Sequence, residues 1–144
     1  MTVFLCKTEP DEYSYDDLVR DGRTPWNGVA NPAAQKVMRT MREGDRAIVY
    51  HTGKEKRIAG LARIVRGAYP DPDHPGQTAA GDPKRVLADV EPVEPAKRDL
   101  RLADIKADSR FADFELVRLP RLSVMPVPGD LVPVLLDLAG LAQR

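Results

Sequence analysis

The order of hydrophobic and polar positions predicts β-strands along most of the chain. Arg46–His51 (RAIVYH) and Arg57–Tyr69 are rich in β-branched and aromatic residues, and the short loop TGKEK joins them. A loop of this length with one glycine predicts an antiparallel hairpin. Further strands are predicted in the opening TVFLCK, which Pro10 stops, in RVLADVEPV from residue 85, and in RLSVMPV from residue 121.

Helices are predicted where a capping residue precedes a hydrophobic period of about 3.6 residues. Ser14 begins a capping box that predicts a helix ending at Gly22. Asn31, followed by a proline at the first helical position, predicts a second helix that continues to Gly44. LRLADIKAD and SRFADF predict short helices, and the last apolar stretch predicts a core helix that tolerates Pro133 or bends at it.

Strands and helices at uneven spacing, with one clear hairpin, predict an α+β fold. Its sheet is expected to be mixed or antiparallel, with helices packed outside it. The segment 70–83 contains four prolines and two glycines, so it is predicted to be an irregular loop that forms either a lid or a decorated edge. A length of 144 residues with 42% hydrophobic content predicts a single domain over residues 1–144.

Composition restricts the classes of partner. The 22 basic and 22 acidic side chains cancel, so an anionic partner must be held by a local patch and not by a global positive field. Cys6 is the single cysteine, and Lys7 and Glu9 interrupt the opening apolar run, which leads us to expect a cytoplasmic protein. The apolar stretch from Asp130 is shorter than the roughly 20 residues of a spanning helix, so no membrane is expected.

The chain lacks the residue patterns of the common catalytic sites. Its two histidines, His51 and His74, do not have metal-ligand spacing with the one cysteine. No Ser/His/Asp arrangement and no phosphate-binding loop is found in the sequence. We therefore expect neither an enzyme nor a cofactor or metal site.

Five segments in the same order resemble the EVE domain, a branch of the PUA-like superfamily. They are LCKTEPDEYSYDDL, WNGVAN, GDRAIVYHTG, AYPDP and RLSVMPV, and they extend from about Phe4 to Val127. Five ordered segments are more specific than any one of them alone. The resemblance implies a pseudo-barrel of five or six mostly antiparallel strands with surrounding helices. It also implies a pocket that accepts a modified nucleobase of DNA or RNA.

Residues in the matching segments are candidates for that pocket. Trp26, the only tryptophan, is the predicted stacking platform, since an aromatic face contributes roughly 1–3 kcal/mol per stacked base. Polar groups must then meet the edge of the base. The structural alternatives are a core role for Trp26, a capping role for Asn31 and a local hydrogen bond for His51. The predicted ligand-binding residues are Lys7, Thr8, Trp26, Gly28, Val29, Asn31, Tyr50, His51, Arg121 and Ser123.

The sequence departs from the family pattern beside Trp26. Many EVE domains have an arginine before the asparagine that is Asn31 here and a Tyr-Gln pair after it. This chain has Ala30, Pro32 and Ala33 at those positions. It also has Asn27 where the family usually has an acidic residue after the tryptophan, which is a smaller change. The rim of the pocket is therefore expected to differ from that of such relatives.

The function that these observations predict is a non-catalytic module that binds nucleic acid and recognises a modified base in an aromatic pocket. The alternative is a binder or processor of a free small molecule such as a nucleoside. The basic residues of the chain, including Lys54 and Lys56 in the hairpin loop, either form a solvated surface or contact phosphates around the pocket. In the second case the affinity for nucleic acid should fall with added salt.

Overall fold

The computed structural model describes residues 1–143, which contain six strands and five helices. The strands are β1 (Val3–Thr8), β2 (Thr24–Pro25), β3 (Arg46–His51), β4 (Arg57–Pro70), β5 (Val86–Pro95) and β6 (Val124–Pro126). The helices are α1 (Tyr15–Asp21), α2 (Pro32–Met38), α3 (Leu102–Ala107), α4 (Glu115–Arg118) and α5 (Val132–Ala139), with a 3₁₀ turn at Ser109–Phe111.

The strands form one sheet in the order β2-β5-β4-β3-β1-β6. The predicted hairpin of β3 and β4 is present, and every neighbouring pair is antiparallel except β1 and β3, which are parallel. The α+β fold with six mostly antiparallel strands is therefore confirmed. The parallel register places Lys7 opposite Tyr50 and Thr8 opposite His51, so the carboxyl ends of β1 and β3 meet at one edge of the sheet.

The neighbouring strands β1 and β3 are covered on both faces. All six residues of β3 are buried, as are Val3–Cys6 of β1. Such continuous burial is typical of strands with packing on both sides of the sheet. Phe111 and Phe114, on the segment between α3 and α4, are among the largest fully buried side chains. The ends of β1 and β3 are therefore attached to a rigid core.

The helix termini follow the predicted capping residues, with one difference. Ser14 forms the capping box of α1, and Asn31 Oδ1 accepts a hydrogen bond from the amide of Ala34 at the start of α2. However, α2 ends at Met38 and not at Gly44. The amides of Thr40 and Met41 donate to carbonyls only three residues before them, which tightens the chain into turns.

Gln35 of α2 is a buried amide that connects three parts of the fold. Its Nε2 donates to the carbonyl of Val29 at 2.7 Å, and its Oε1 accepts from the amide of Val86 at 2.8 Å. The amide of Trp26 donates to the carbonyl of Ala88, also in β5, at 2.8 Å. The turn 26–29 is thus fixed to β5 directly at its first residue and through Gln35 at its last.

We predict that Gln35→Leu lowers the free energy of unfolding by about 2–4 kcal/mol, because it leaves the buried amide of Val86 and the carbonyl of Val29 without partners. Lys36→Ala, on the exposed side of the same helix, is the control and should change stability by less than about 0.5 kcal/mol. Urea denaturation followed by circular dichroism measures both. Equal stability of the two variants would show that the amide does not hold the turn.

Candidate functional site

A cavity of about 400 Å³ lies where β1 ends, between the turn before α1 and the turn after β2. We call it the Trp26 cavity. Its volume is within the range of about 300–1,000 Å³ that is typical of small-molecule sites. The residues that line it are Lys7, Thr8, Glu9, Glu12, Tyr13, Thr24, Pro25, Trp26, Asn27, Gly28, Val29 and Ser123.

Trp26 belongs to the hydrophobic core and also lines this cavity. Only 7% of the residue is exposed, and it belongs to the same buried cluster as Val29 and the apolar residues of β5. The accessible part of the residue forms part of the cavity wall. The core role is therefore present, and the role as a stacking platform stays a prediction.

The backbone of the turn after Trp26 requires a glycine. Gly28 has φ +76°, a left-handed conformation that costs a residue with a side chain roughly 1–2 kcal/mol. No atom lies within 4 Å of the position that a Cβ would take at Gly28. The glycine therefore serves the conformation of the turn and leaves the cavity rim open.

Polar groups on the β1 side of the cavity are held in defined positions. Thr8 Oγ1 donates to the carbonyl of Tyr13 at 2.6 Å, and the amide of Lys7 donates to the carbonyl of Ser123 at 2.8 Å. Lys7 Nζ donates to the carbonyl of Pro120 at 2.9 Å, and burial lowers the pKa of this amine. Glu9 Oε2 accepts from Thr52 Oγ1 at 3.1 Å. The wall thus offers donors and acceptors together.

The charges on the cavity wall favour an uncharged ligand. Lys7 is the one basic residue among the lining side chains, whereas Glu9 and Glu12 are both acidic. A phosphate inside the cavity would lie near two carboxylates, which repel it. A neutral heterocycle would instead find carboxylate oxygens that accept from an amino group and a lysine that donates to a carbonyl.

Six of the ten predicted site residues line this cavity, and four lie elsewhere. Asn31 and Arg121 border a separate cavity of about 350 Å³, which we call the Arg121 cavity. Tyr50 borders another of about 260 Å³, the Tyr50 cavity, and Lys7 lines both this cavity and the Trp26 cavity. His51 lines none of them: its Nε2 accepts from the amide of Tyr15 at 3.0 Å and its Nδ1 lies 3.0 Å from Glu55 Oε1.

A comparison with protein families matches the EVE domain over residues 2–138. This chain belongs to the EVE domain family. The resemblance read from the five sequence segments is therefore confirmed. Thymocyte nuclear protein 1 of Homo sapiens is 30% identical to this EVE domain over 155 residues, which cover 88% of this chain and 69% of the human protein.

Solved structures of the family share the fold of this EVE domain. A protein of Rhodopseudomonas palustris, solved by NMR, is 39% identical with a TM-score of 0.86, and the match covers 97% of this chain and 94% of that one. Human THYN1 protein, crystallised in complex with DNA containing 5-methylcytosine, is 29% identical with a TM-score of 0.85. That match covers 96% of this chain and 98% of the human chain.

Six residues that line the Trp26 cavity of this EVE domain were not among the predicted site residues. All of them are close in sequence to a predicted residue: three lie in LCKTEPDEYSYDDL, one lies in WNGVAN, and two immediately precede WNGVAN. Closeness in sequence to Lys7, Thr8 and Trp26 was therefore the signal that could have identified these six residues. The six are Glu9, Glu12, Tyr13, Thr24, Pro25 and Asn27.

Three of the four departures from the family pattern lie outside the Trp26 cavity. Ala30 and Pro32 line a cavity of about 690 Å³ beside α2, which we call the Gln35 cavity, and Ala33 lines the Arg121 cavity. The proline-rich loop 71–85 forms the opposite wall of the Gln35 cavity and does not line the Trp26 cavity. The fourth departure, Asn27, lines the Trp26 cavity itself.

Residues 1–143, the described part of the chain, were compared with the requirements of metal sites and membrane-spanning helices. This part contains no group of three or more His, Cys, Asp or Glu side chains placed to hold a metal ion. None of its helices has the length and hydropathy to cross a membrane.

We predict that His51 of this EVE domain is a structural residue. His51→Ala leaves the buried amide of Tyr15 without an acceptor, so the free energy of unfolding should fall by about 2–3 kcal/mol. Glu55→Gln keeps an oxygen that accepts from Nδ1 and should cost less than about 1 kcal/mol. Thermal and urea denaturation test this. A His51→Ala variant as stable as Glu55→Gln would contradict it.

Proposed function

We propose that this chain, as a single EVE domain over residues 1–144, is a non-catalytic module that binds nucleic acid and takes a modified base into the Trp26 cavity. The observation that supports the proposal is that Trp26 lines a cavity of about 400 Å³ beside hydrogen-bonding groups. Human THYN1 protein, of the same family and fold, was crystallised with DNA containing 5-methylcytosine. A methylated cytosine is therefore the first modified base to test for binding.

The wall chemistry suits a cytosine. A flipped base is recognised by contacts to its Watson–Crick edge and by packing against aromatic or apolar side chains. The exocyclic amine of cytosine can donate a hydrogen bond to the carboxylate of Glu9. The carbonyl oxygen of cytosine can accept one from Lys7 or Ser123. The accessible part of Trp26 offers an apolar surface to the ring or its methyl group.

The charge of the cavity wall also favours a second candidate function, which is the binding of a free nucleoside. Because Glu9 and Glu12 outnumber Lys7, the cavity itself favours a ring without phosphate. A module that reads nucleic acid must then hold the phosphates outside the cavity. Comparing 5-methyldeoxycytidine with an oligonucleotide that carries the same base separates the two functions. Equal affinity and no dependence on salt would favour the nucleoside.

We predict that Trp26→Leu weakens binding of a DNA oligonucleotide with one 5-methylcytosine by roughly 5- to 150-fold, because it removes an aromatic contact with the base. It should also remove the preference over the same oligonucleotide with cytosine. Fluorescence anisotropy of labelled DNA measures the affinities. In the unmodified protein the emission of the one tryptophan should change on binding, because Trp26 borders the ligand.

Trp26 is largely buried, so Trp26→Leu can also destabilise the fold. Trp26→Phe keeps an aromatic ring and should give a smaller loss of affinity while remaining folded. Tyr69→Phe, which changes an aromatic residue outside all four cavities, is the control and should bind as the unmodified protein does. Circular dichroism verifies folding. A folded Trp26→Leu protein with unchanged affinity and preference would refute the proposal.

A further inference from the structure

The Tyr50 cavity lies next to the Trp26 cavity and has a different chemical character. Its volume is about 260 Å³, and three lysines line it: Lys7, Lys56 and Lys106. Tyr50 and Thr52 add hydroxyl groups, and no aspartate or glutamate is among the described residues that line it. The cavity therefore has a basic wall, in contrast to the acidic balance of the Trp26 cavity.

The lysines of this cavity are not neutralised by neighbours. The ion pairs of the described chain engage cations such as Arg20, Arg57 and Lys97. None of those pairs includes Lys56 or Lys106, and Lys7 Nζ donates to a carbonyl and not to a carboxylate. Like charges around one hollow repel one another, and an anion placed between them removes that repulsion. The arrangement is thus suited to bind an anion.

Two carboxylates lie near the wall, and both are engaged. Glu9 Oε2 accepts from Thr52 Oγ1, and Glu9 lines the Trp26 cavity. Glu55 Oε1 pairs with Arg57 Nε at 2.8 Å and with His51 Nδ1 at 3.0 Å. Neither carboxylate forms an ion pair with Lys56. The positive charge of the cavity is therefore available to a ligand.

The backbone supports the position of Lys56. This residue has φ +45°, the one positive φ of a residue other than glycine among those described. Its carbonyl accepts from the amide of Leu102 at 2.8 Å, which attaches the β3–β4 turn to α3, the helix that carries Lys106. A side chain in this conformation is held at a cost of roughly 1–2 kcal/mol per residue. The two lysines are thus brought to one cavity by a fixed contact between two elements.

Tyr50 and Lys7 connect the basic wall with the interior of the sheet. Lys7 Nζ lies 5.9 Å from the centre of the Tyr50 ring, within the range of a cation–π contact. Burial raises the pKa of Tyr50 above its ordinary value, so the hydroxyl is protonated at neutral pH and can donate to a ligand oxygen. Lys7 also lines the Trp26 cavity, so the two cavities share one wall residue.

We propose that the Tyr50 cavity binds a backbone phosphate of the nucleic acid whose base enters the Trp26 cavity. This inference rests on the proposed function and adds to it the residues that hold the charged part of the ligand. Lys56 and Lys106 contact the phosphate, while Lys7 lies between phosphate and base. The carboxylates of the Trp26 cavity repel the phosphate, whereas the lysines of the Tyr50 cavity attract it.

The test compares Lys56→Ala/Lys106→Ala with the matched double variant Lys36→Ala/Lys54→Ala. All four lysines are exposed, and the control pair lines none of the four cavities. The cavity variant should bind oligonucleotides with 5-methylcytosine and with cytosine about tenfold more weakly, by the same factor for both. The slope of log affinity against log salt concentration should decrease in size by about 1, whereas the control should keep affinity and slope.

A second measurement does not depend on DNA binding. Inorganic phosphate is titrated at constant ionic strength while NMR follows the amides of residues 52–56 and 106. Saturable shifts are expected in the unmodified protein and in the control variant, and not in Lys56→Ala/Lys106→Ala. If the cavity variant behaves like the control in both measurements, the phosphate inference is overturned.

The two proposals fail separately. Phosphate shifts that saturate in a protein that binds neither oligonucleotide would support the phosphate site and overturn base recognition. A methyl preference that depends on Trp26, together with no difference between the two lysine variants, would support base recognition and overturn the phosphate site. Lys7 is unsuited to this comparison because its side chain lines both cavities.

Discussion

The attachment of the turn 26–29 to β5 is the constraint on which the site depends. The turn has a left-handed glycine and follows a strand of only two residues, so its own backbone does not determine its position. Two connections to β5 do so. The amide of Trp26 donates to the carbonyl of Ala88, and the side chain of Gln35 donates to the carbonyl of Val29 while it accepts from the amide of Val86. Removing either would leave a buried polar group without a partner.

That attachment holds a largely buried tryptophan, only 7% exposed, at the border of the Trp26 cavity. A ring on an exposed loop would lose side-chain freedom on binding, whereas this ring is already fixed by the core around it. The same strand order brings β1 and β3 together in parallel, so that Lys7 and Tyr50 lie side by side at the sheet edge. The carboxyl ends of these two strands thus lie beside an acidic cavity and a basic cavity that share Lys7.

The sequence predicted the elements of this fold better than the walls of its cavities. Ser14, Gly22 and Asn31 have the predicted roles because capping is decided by residues three or four positions away. The strand β2 was missed because two residues have no periodicity, and it exists only through pairing with β5. Asn31 and Arg121 face a different cavity from Trp26, although Asn31 is only five positions along the chain. Which hollow a side chain borders depends on long-range packing, which local sequence does not encode.

If the Trp26 cavity binds a methylated base as proposed, burial of the methyl group alone gives only a limited preference over the unmethylated base. Burial of one methyl or methylene group contributes about 0.8 kcal/mol, which is roughly a fourfold preference. Phosphate contacts raise affinity without changing that ratio, because methylated and unmethylated strands have the same backbone. A larger preference therefore requires a penalty for the unmethylated base, such as an unfilled gap against the fixed wall. On the proposed function, Trp26 would supply such a wall, because a side chain packed in the core has little freedom to close the gap.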